Sequence, residues 1–433
     1  MWLNDNVKKE YIYIYSLCLF LFLLPFEVRY NNIGLIALVL GWAINFKGTE
    51  FLSYIKDRSF KRIFIAICLF YVYFILRGFD FSSETYFYNN ALVEYGKKIA
   101  LILLPILLNI KAIRKHHKLI LYSFVGGVFL AIIICLSNAV YVNFKEGLQV
   151  NRGFFHFNAW YFSNLLLTKP INFHPTLFSF AVSIVLHICV LQILNLSASK
   201  VKLFKSKAIA SAVAILMFMF MLMLSSRNVL LFSTVSIFIL VIKYIINTKK
   251  YRYSLYFILA ITGISAFELS INHVNKQRIV DLLSINKNPT EKSFGGSSFR
   301  LASFNALYQE IIKDNWIFGI GSGGDQTQFD RAYLKHGLSI AAKEHYNAHN
   351  QYLETLIDNG IVGLLLLLAI YFVALKTSYN TNSYLGLIVV YLLASLALTE
   401  SILERQKGIW LFTTVLFIFI AKLENLKEKV EKQ

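Results

Sequence analysis

The sequence concentrates its chemistry in one run, His345 to Gly363, reading His-Tyr-Asn-Ala-His-Asn-Gln-Tyr-Leu-Glu-Thr-Leu-Ile-Asp-Asn-Gly-Ile-Val-Gly, which leads straight into an apolar stretch. An imidazole fixed beside such a stretch can take a proton from a hydroxyl near neutral pH, which makes His349 a candidate general base. On residue types alone, a surface histidine at a helix entry is the favoured reading. His345 stands four residues earlier, and on a helix the two would share a face at zinc-ligand spacing. Tyr-Asn-Ala lies between them, however, so the acid a metalloprotease needs is missing. Arg227 sits in a tight connection between two apolar stretches, where an unpaired guanidinium is costly and a bidentate diphosphate would satisfy it; a snorkelling interfacial arginine is the alternative. His174-Pro175 either lines a cavity or simply opens a helix with Pro in its first turn. Glu400, Glu404 and Arg405 are expected to pair structurally, with one another or with Arg227. Asp325 and Asp330, beside His336, match no metal-ligand pattern, so no metal site is expected.

These residues need elements to hold them, and the composition says what kind. The chain has 433 residues, of which 57% are hydrophobic, and a mean hydropathy of +0.57. A chain with these values has lipid as its main solvent and reads as one all-α polytopic membrane domain over residues 1–433. Hydropathy places about 12 spans, near 11–27, 31–46, 60–79, 91–110, 118–142, 172–194, 206–224, 227–246, 252–271, 355–375, 383–402 and 408–423. The first is read as uncleaved because no small-residue cleavage site follows it. In the fourth, Glu94, Lys97 and Lys98 stand near the start, where long side chains can reach the interface. Cys18, Cys68, Cys135 and Cys189 all fall in apolar segments and read as small hydrophobes, with neither a disulfide nor a thiolate site expected.

The net charge of +19 comes from small basic groups between apolar segments rather than from one face, so it reads as topology and not as nucleic-acid binding. Placing the N-terminus inside puts Lys47, Lys56, Arg58, Lys61 and Arg62 on the cytoplasmic side. The groups Lys111 to Lys118, Lys200 to Lys207 and Lys243 to Arg252 then follow there, as does the tail with Lys422, Lys427, Lys429 and Lys432. Both termini are therefore expected inside. Two outer segments exceed a turn. About 143–171 is aromatic, with Phe154, Phe155, Trp160, Tyr161 and Phe162, as suits the headgroup level. About 272–354 is a large extracytoplasmic loop, with turns at Gly295-Gly296 and Gly319 to Gly324. Residues 299–315 within it read as an amphipathic helix presenting Phe299, Ala302, Ala306 and Ile312 on one face.

The run ending in His349-Asn350, followed by Tyr352-Leu353 and by Gly360 and Gly363, resembles the signature of the O-antigen ligase and polymerase superfamily. There a long outer loop ends in a His-Asn pair, a Tyr-Leu step and a Gly-x-x-Gly helix entry. Ser225-Ser226-Arg227-Asn228 looks like that family's Ser-Arg turn. Arg300, with Ile317-Phe318-Gly319-Ile320-Gly321 downstream, looks like its loop arginine and Gly-x-Gly. Glu400-Ser401 with Glu404-Arg405 and Gly408 resembles a C-terminal variant, and Asn305 and Trp316 depart from the expected aromatic pattern. The likeness covers roughly residues 170–420. It implies a class C glycosyltransferase-like membrane enzyme of the bacterial inner membrane, inverting, metal-independent and without a cofactor. The donor would be a glycan on undecaprenyl diphosphate, and the acceptor a hydroxyl of a lipid A core sugar or another glycan. His349 is then the expected catalytic base, and Arg227, Arg300, Asn350, His345 and His174 the expected substrate-binding residues. A polymerase, a protein O-oligosaccharyltransferase and a twelve-span flippase or transporter are the alternatives. The last would show related halves and ionisable groups at mid-membrane.

Overall fold

The computed structural model describes residues 5–46, 57–78, 93–149, 157–196, 203–249, 262–263, 270, 297–321 and 326–420. Among these every regular element is helical. In chain order the principal helices are α1 (Asp5–Leu23), α2 (Val28–Asn45), α3 (Arg58–Arg77), α4 (Ala100–Leu107), α5 (His117–Gln149), α6 (Pro175–Ile193) and α7 (Lys207–Leu224). They are followed by α8 (Arg227–Thr248), α9 (Ser297–Leu307), α10 (Gln326–Lys335), α11 (Gln351–Asn380), α12 (Tyr384–Leu396) and α13 (Gln406–Ile420). By length and composition α5, α6, α7, α8 and α11 can each cross a membrane, while α12 and α13 are shorter apolar helices. All of the expected ninth span but 262–263 and 270, together with Phe154 and Phe155, the C-terminal lysines and the turns at 295–296 and 322–324, lies outside the described residues.

Each helix forms for a local reason and is then fixed by its neighbours. Pro175 supplies the first residue of α6, where its missing N–H costs nothing. Ser206 and Ser383 cap α7 and α12 with side-chain oxygens. Without water to drive association, helices in lipid pack through close fit. Gly34 and Gly41 permit that fit between α2 and α1, since a Cβ would come within 2.8 Å of Phe20 Cα at the first and 2.5 Å of Ser16 Oγ at the second. At the centre, α6 and α13 are buried along nearly their whole lengths.

The fourth expected span, 91–110, ends in a break at Leu108 and Asn109. Pro105 lies inside α4, Leu108 is extended, and Asn109 then caps a separate turn, Ile110–Lys115, by accepting from Ala112 N. Residues 93–98 and 100–107 are helical, with Ile99 between them also at helical φ/ψ, and together they rise about 22 Å, short of a hydrocarbon core of about 30 Å. Lys98 also departs from its expected place at the interface. It is 2% exposed, bonds Glu404 at 2.6 Å and stands over the Phe74 ring. A buried ammonium needs such a partner, and Glu404 brings the C-terminal part of the chain to it.

The long segment before α11 has a core of its own. Phe299, Ala306 and Ile312 are buried on the expected face, with Ala302 partly buried, and they join Phe329, Tyr333, Ala341 and Tyr346 in a cluster apart from the main bundle. The helix over 299–315 is interrupted by a π-turn at Tyr308–Ile312. This small unit is tied to α11 by three backbone hydrogen bonds: Ile320 N to Ile357 O at 2.8 Å, Gly321 N to Asp358 O at 2.9 Å and Ile361 N to Trp316 O at 2.9 Å. α11 can offer those groups because Gly360, at φ 63° and ψ −167°, breaks its ladder. From α3, Arg77 donates to Phe318 O and Gly319 O.

Candidate active site

The first turn of α11 fixes one wall of the site. Asn350 caps it, its side-chain oxygen accepting from Tyr352 N and Leu353 N at 3.0 Å each. That amide oxygen is therefore committed to the helix start. Gln351 and Glu354 then stitch this turn to the segment after α12. Gln351 N donates to Ala397 O, its amide oxygen accepts from Leu403 N at 2.7 Å, and Glu354 accepts from both Ala348 N and Ser401 Oγ. The stitching sets the residue beside Ser401, Glu400, opposite His349.

The geometry around Glu400 is the centre of the site. His349 Nδ1 lies 3.9 Å from one of its carboxylate oxygens and His174 Nδ1 4.0 Å from the other. Neither distance is a hydrogen bond, and both Nδ1 atoms are buried without one. Tyr346 lies beside the His349 ring, with centroids 4.4 Å apart. Arg300 lies close enough to Tyr346 to favour its charged form and reaches Thr399 O at 3.5 Å, the residue before Glu400. Burial pushes His349 down to about 4; Glu400 opposes the shift, while Arg300, Arg405 and His174 add to it. His174 is lowered for the same first reason. His349 is thus neutral at neutral pH, and a proton on Nδ1, toward the carboxylate, leaves Nε2 as acceptor.

The predicted residues separate into those that meet and those that do not. His349, His174 and Arg300 converge. Arg227 opens α8 half-buried and engaged in contacts, and its neighbour Asn228 donates to Ser395 O and to Thr399 Oγ1 at 2.7 Å. The Ser-Arg turn and the loop arginine therefore both abut Thr399. His345 does not join them. It and His349 both have left-handed backbone, at φ 47° and 44°, so they share no helix face. His345 is largely exposed and bonds Asp330 at 2.7 Å, which also occupies that aspartate; Asp325 lies outside the described residues.

Sequence reasoning placed Glu400 and Glu404 in structural pairs with Arg405 or Arg227, and the fold uses them otherwise. Glu404 holds Lys98 and, at 3.4 Å, Gln351; Glu400 faces the two histidines. Tyr346 stood in the recognised run without an assigned role. Its proximity to His349 in the chain was the one available signal.

The fold and site define an all-helical integral membrane protein whose polar residues gather where a small helical unit meets the helix ends. Residues 212–368 match the family model described as O-antigen ligase. That match supports the likeness to the O-antigen ligase and polymerase superfamily, a family of membrane glycosyltransferase type. The matched stretch contains Arg227, Arg300 and His349, while His174, Glu400 and Arg405 lie outside it. No curated protein matches the sequence.

Proposed function

We propose that the chain is an inverting, metal-independent glycosyltransferase that moves a glycan from undecaprenyl diphosphate to an acceptor hydroxyl, a lipid A core sugar, on the outer face of the inner membrane. The observation that carries the reading is His349, buried and neutral, against Glu400 and His174, with Arg300 beside it. His349 Nε2 takes the proton of the acceptor hydroxyl as that oxygen attacks the anomeric carbon. The bond from that carbon to the diphosphate oxygen breaks on the opposite face, and the electron pair leaves with the carrier. Arg227 and Arg300 hold the diphosphate as negative charge develops, which supplies the electrostatics a metal would otherwise provide. Glu400 stabilises the imidazolium once it forms. A polymerase or a protein O-oligosaccharyltransferase would run the same steps on a different acceptor.

The carrier reading expects a charge cluster at mid-membrane with His349 exposed. Lys98, Glu404, Glu354, Asp358 and Glu94 do cluster, but Glu354 stands in the first turn of α11, beside a buried His349. The test is transfer from a defined lipid-linked donor to candidate acceptors in liposomes. His349→Ala should lower turnover at least about a hundredfold with donor binding retained, since general-base catalysis contributes on that scale. Arg227→Ala should weaken donor binding as well, by about 1.5–3 kcal/mol per lost charged hydrogen bond. Activity should survive EDTA. Full transfer by the His349→Ala protein refutes the base assignment, and a wild type that carries the donor across the bilayer without joining it to anything refutes the enzyme.

A further inference from the structure

Trp316, Ile317 and Phe318 are three consecutive large apolar side chains, 54%, 43% and 58% exposed, at the tip of the small helical unit where it meets α11. Lys313 and Asp314, just before them, are exposed charges, so the tip is apolar beneath a charged collar. Two helices fix its depth. Ile361 N, just past the break in α11, donates to Trp316 O at 2.9 Å, and from Ile361 to its end at Asn380 the helix rises about 29 Å. α3 packs along α11 in the opposite direction, its Tyr73 hydroxyl donating to Asn359 O at 3.3 Å. Its 20 residues rise about 30 Å, from Arg58, Lys61 and Arg62 at one end to Arg77 at the other. Arg77 donates to Phe318 O at 2.9 Å and to Gly319 O at 3.2 Å, and its guanidinium carbon stands 5.8 Å from the centre of the Phe318 ring. Both rises match a hydrocarbon core of about 30 Å, so both helices bring the tip to the same edge of that core.

We propose that Trp316, Ile317 and Phe318 insert into the interfacial layer of the phospholipid bilayer and fasten the small helical unit to the membrane at the level where α3 and α11 leave it. Tryptophan and phenylalanine suit that layer, and an arginine at a helix end reaches from it toward the headgroups. The surface is continuous with one that suits acyl chains. Ile65, Leu69, Val72 and Leu76 are exposed along one face of α3 at helical spacing, and that stripe ends beside Arg77, which holds the tip. The backbone is also fitted to a medium poor in water. Trp316 O, Phe318 O and Gly319 O each accept a hydrogen bond, while Gly319 N, Ile320 N and Gly321 N donate to Asn315 O, Ile357 O and Asp358 O; unpaired groups would be costly there. The contact with lipid does not depend on which reaction the protein catalyses.

The experiment uses the full chain in phosphatidylcholine liposomes with Trp316 as sole tryptophan, Trp2, Trp42, Trp160 and Trp410 being replaced by Phe. Phosphatidylcholine brominated on its acyl chains should quench Trp316 at least about twofold. Acrylamide should quench it at least about threefold less than it quenches a sole tryptophan introduced as Lys335→Trp on the same unit, with Trp316→Phe. Phe318→Glu should reduce the quenching by brominated lipid at least about twofold, and Phe318→Leu should keep it, which separates loss of apolar contact from misfolding. Strong quenching by acrylamide with none by lipid would put the tip in water. Shielding from both would mean that protein covers it, either a second copy or another part of this chain. Each of these results overturns the proposal, as does unchanged lipid quenching in Phe318→Glu. A nitroxide on Phe318→Cys, in a background lacking the native four cysteines but keeping every tryptophan, answers the same question if the tryptophan replacements unsettle the fold. It should collide more often with dissolved oxygen than with a water-soluble nickel chelate, and the reverse ratio overturns the insertion. A protein that gives these results yet transfers no glycan would leave the lipid contact standing and sink the glycosyltransferase reading alone.

Discussion

In the proposed reaction His349 is the base, and its surroundings decide how it titrates. Burial holds it neutral down to about 4, whereas an unperturbed histidine charges near about 6.5. The reactive form is the deprotonated one. The transfer rate should therefore stay level as pH falls through the ordinary histidine range and drop only near pH 4. The measurement is kcat/KM from pH 3.5 to 8 in liposomes, and an acid limb near 6.5 would contradict the burial. Glu400 is the group that raises this value, so Glu400→Gln should move the limb lower still while reducing turnover, because the imidazolium formed in the reaction loses its counter-charge. A residue with the same imidazole, His345, illustrates the contrast. Exposed and bonded to Asp330, it has neither the burial nor the neighbours that would suit it to the task.

At the scale of elements, two crossings hold the site together. The first is the break in α11. Gly360 occupies a region of backbone space open essentially to glycine alone, and a Cβ there would stand 2.1 Å from Ile317 O. Gly319 mirrors it, at φ 73° and with a Cβ position 2.5 Å from Asp358 C. Gly360→Ala should cost at least about 2 kcal/mol, from backbone strain and the loss of the bonds to 316–321, and should lower turnover by releasing the outer unit from the first turns of α11. Thermal unfolding in detergent together with the transfer assay would show both; an unaltered Tm would mean the break is not needed. The second crossing is the Lys98–Glu404 pair, 306 residues apart in sequence. Removing one partner strands a buried charge, so Lys98→Met alone should destabilise by about 3–5 kcal/mol. Adding Glu404→Gln should recover part of that loss, and a strictly additive double variant would show that the pair is not coupled.

For the whole molecule, the distribution of basic residues predicts which ends of the helices face the cytoplasm. Single cysteines introduced near Lys205 and in the tail after Lys422, in a background lacking the native four, should react with an impermeant thiol reagent only after the membrane is opened. One at Lys335 should react in intact spheroplasts. The reverse pattern would invert the topology and put His349 on the wrong side for the proposed donor. The sequence by itself determined the all-helical membrane character and most helix positions, because apolar stretches of sufficient length and their caps are local properties of the chain. It also supplied His349, Arg227 and Arg300 as candidates, through motifs whose spacing is local. The end of α4 was legible only in part: Pro105 and Asn109 stand on either side of it, yet a hydropathy window carries the span on to 110. Only the tertiary structure decided that Glu400 would face His349 and His174, that Glu404 would hold a buried Lys98, and that Arg77 would meet Phe318. The interaction of two charges falls with their distance and rises with their burial, and neither quantity exists in a sequence until the helices that carry the residues have packed.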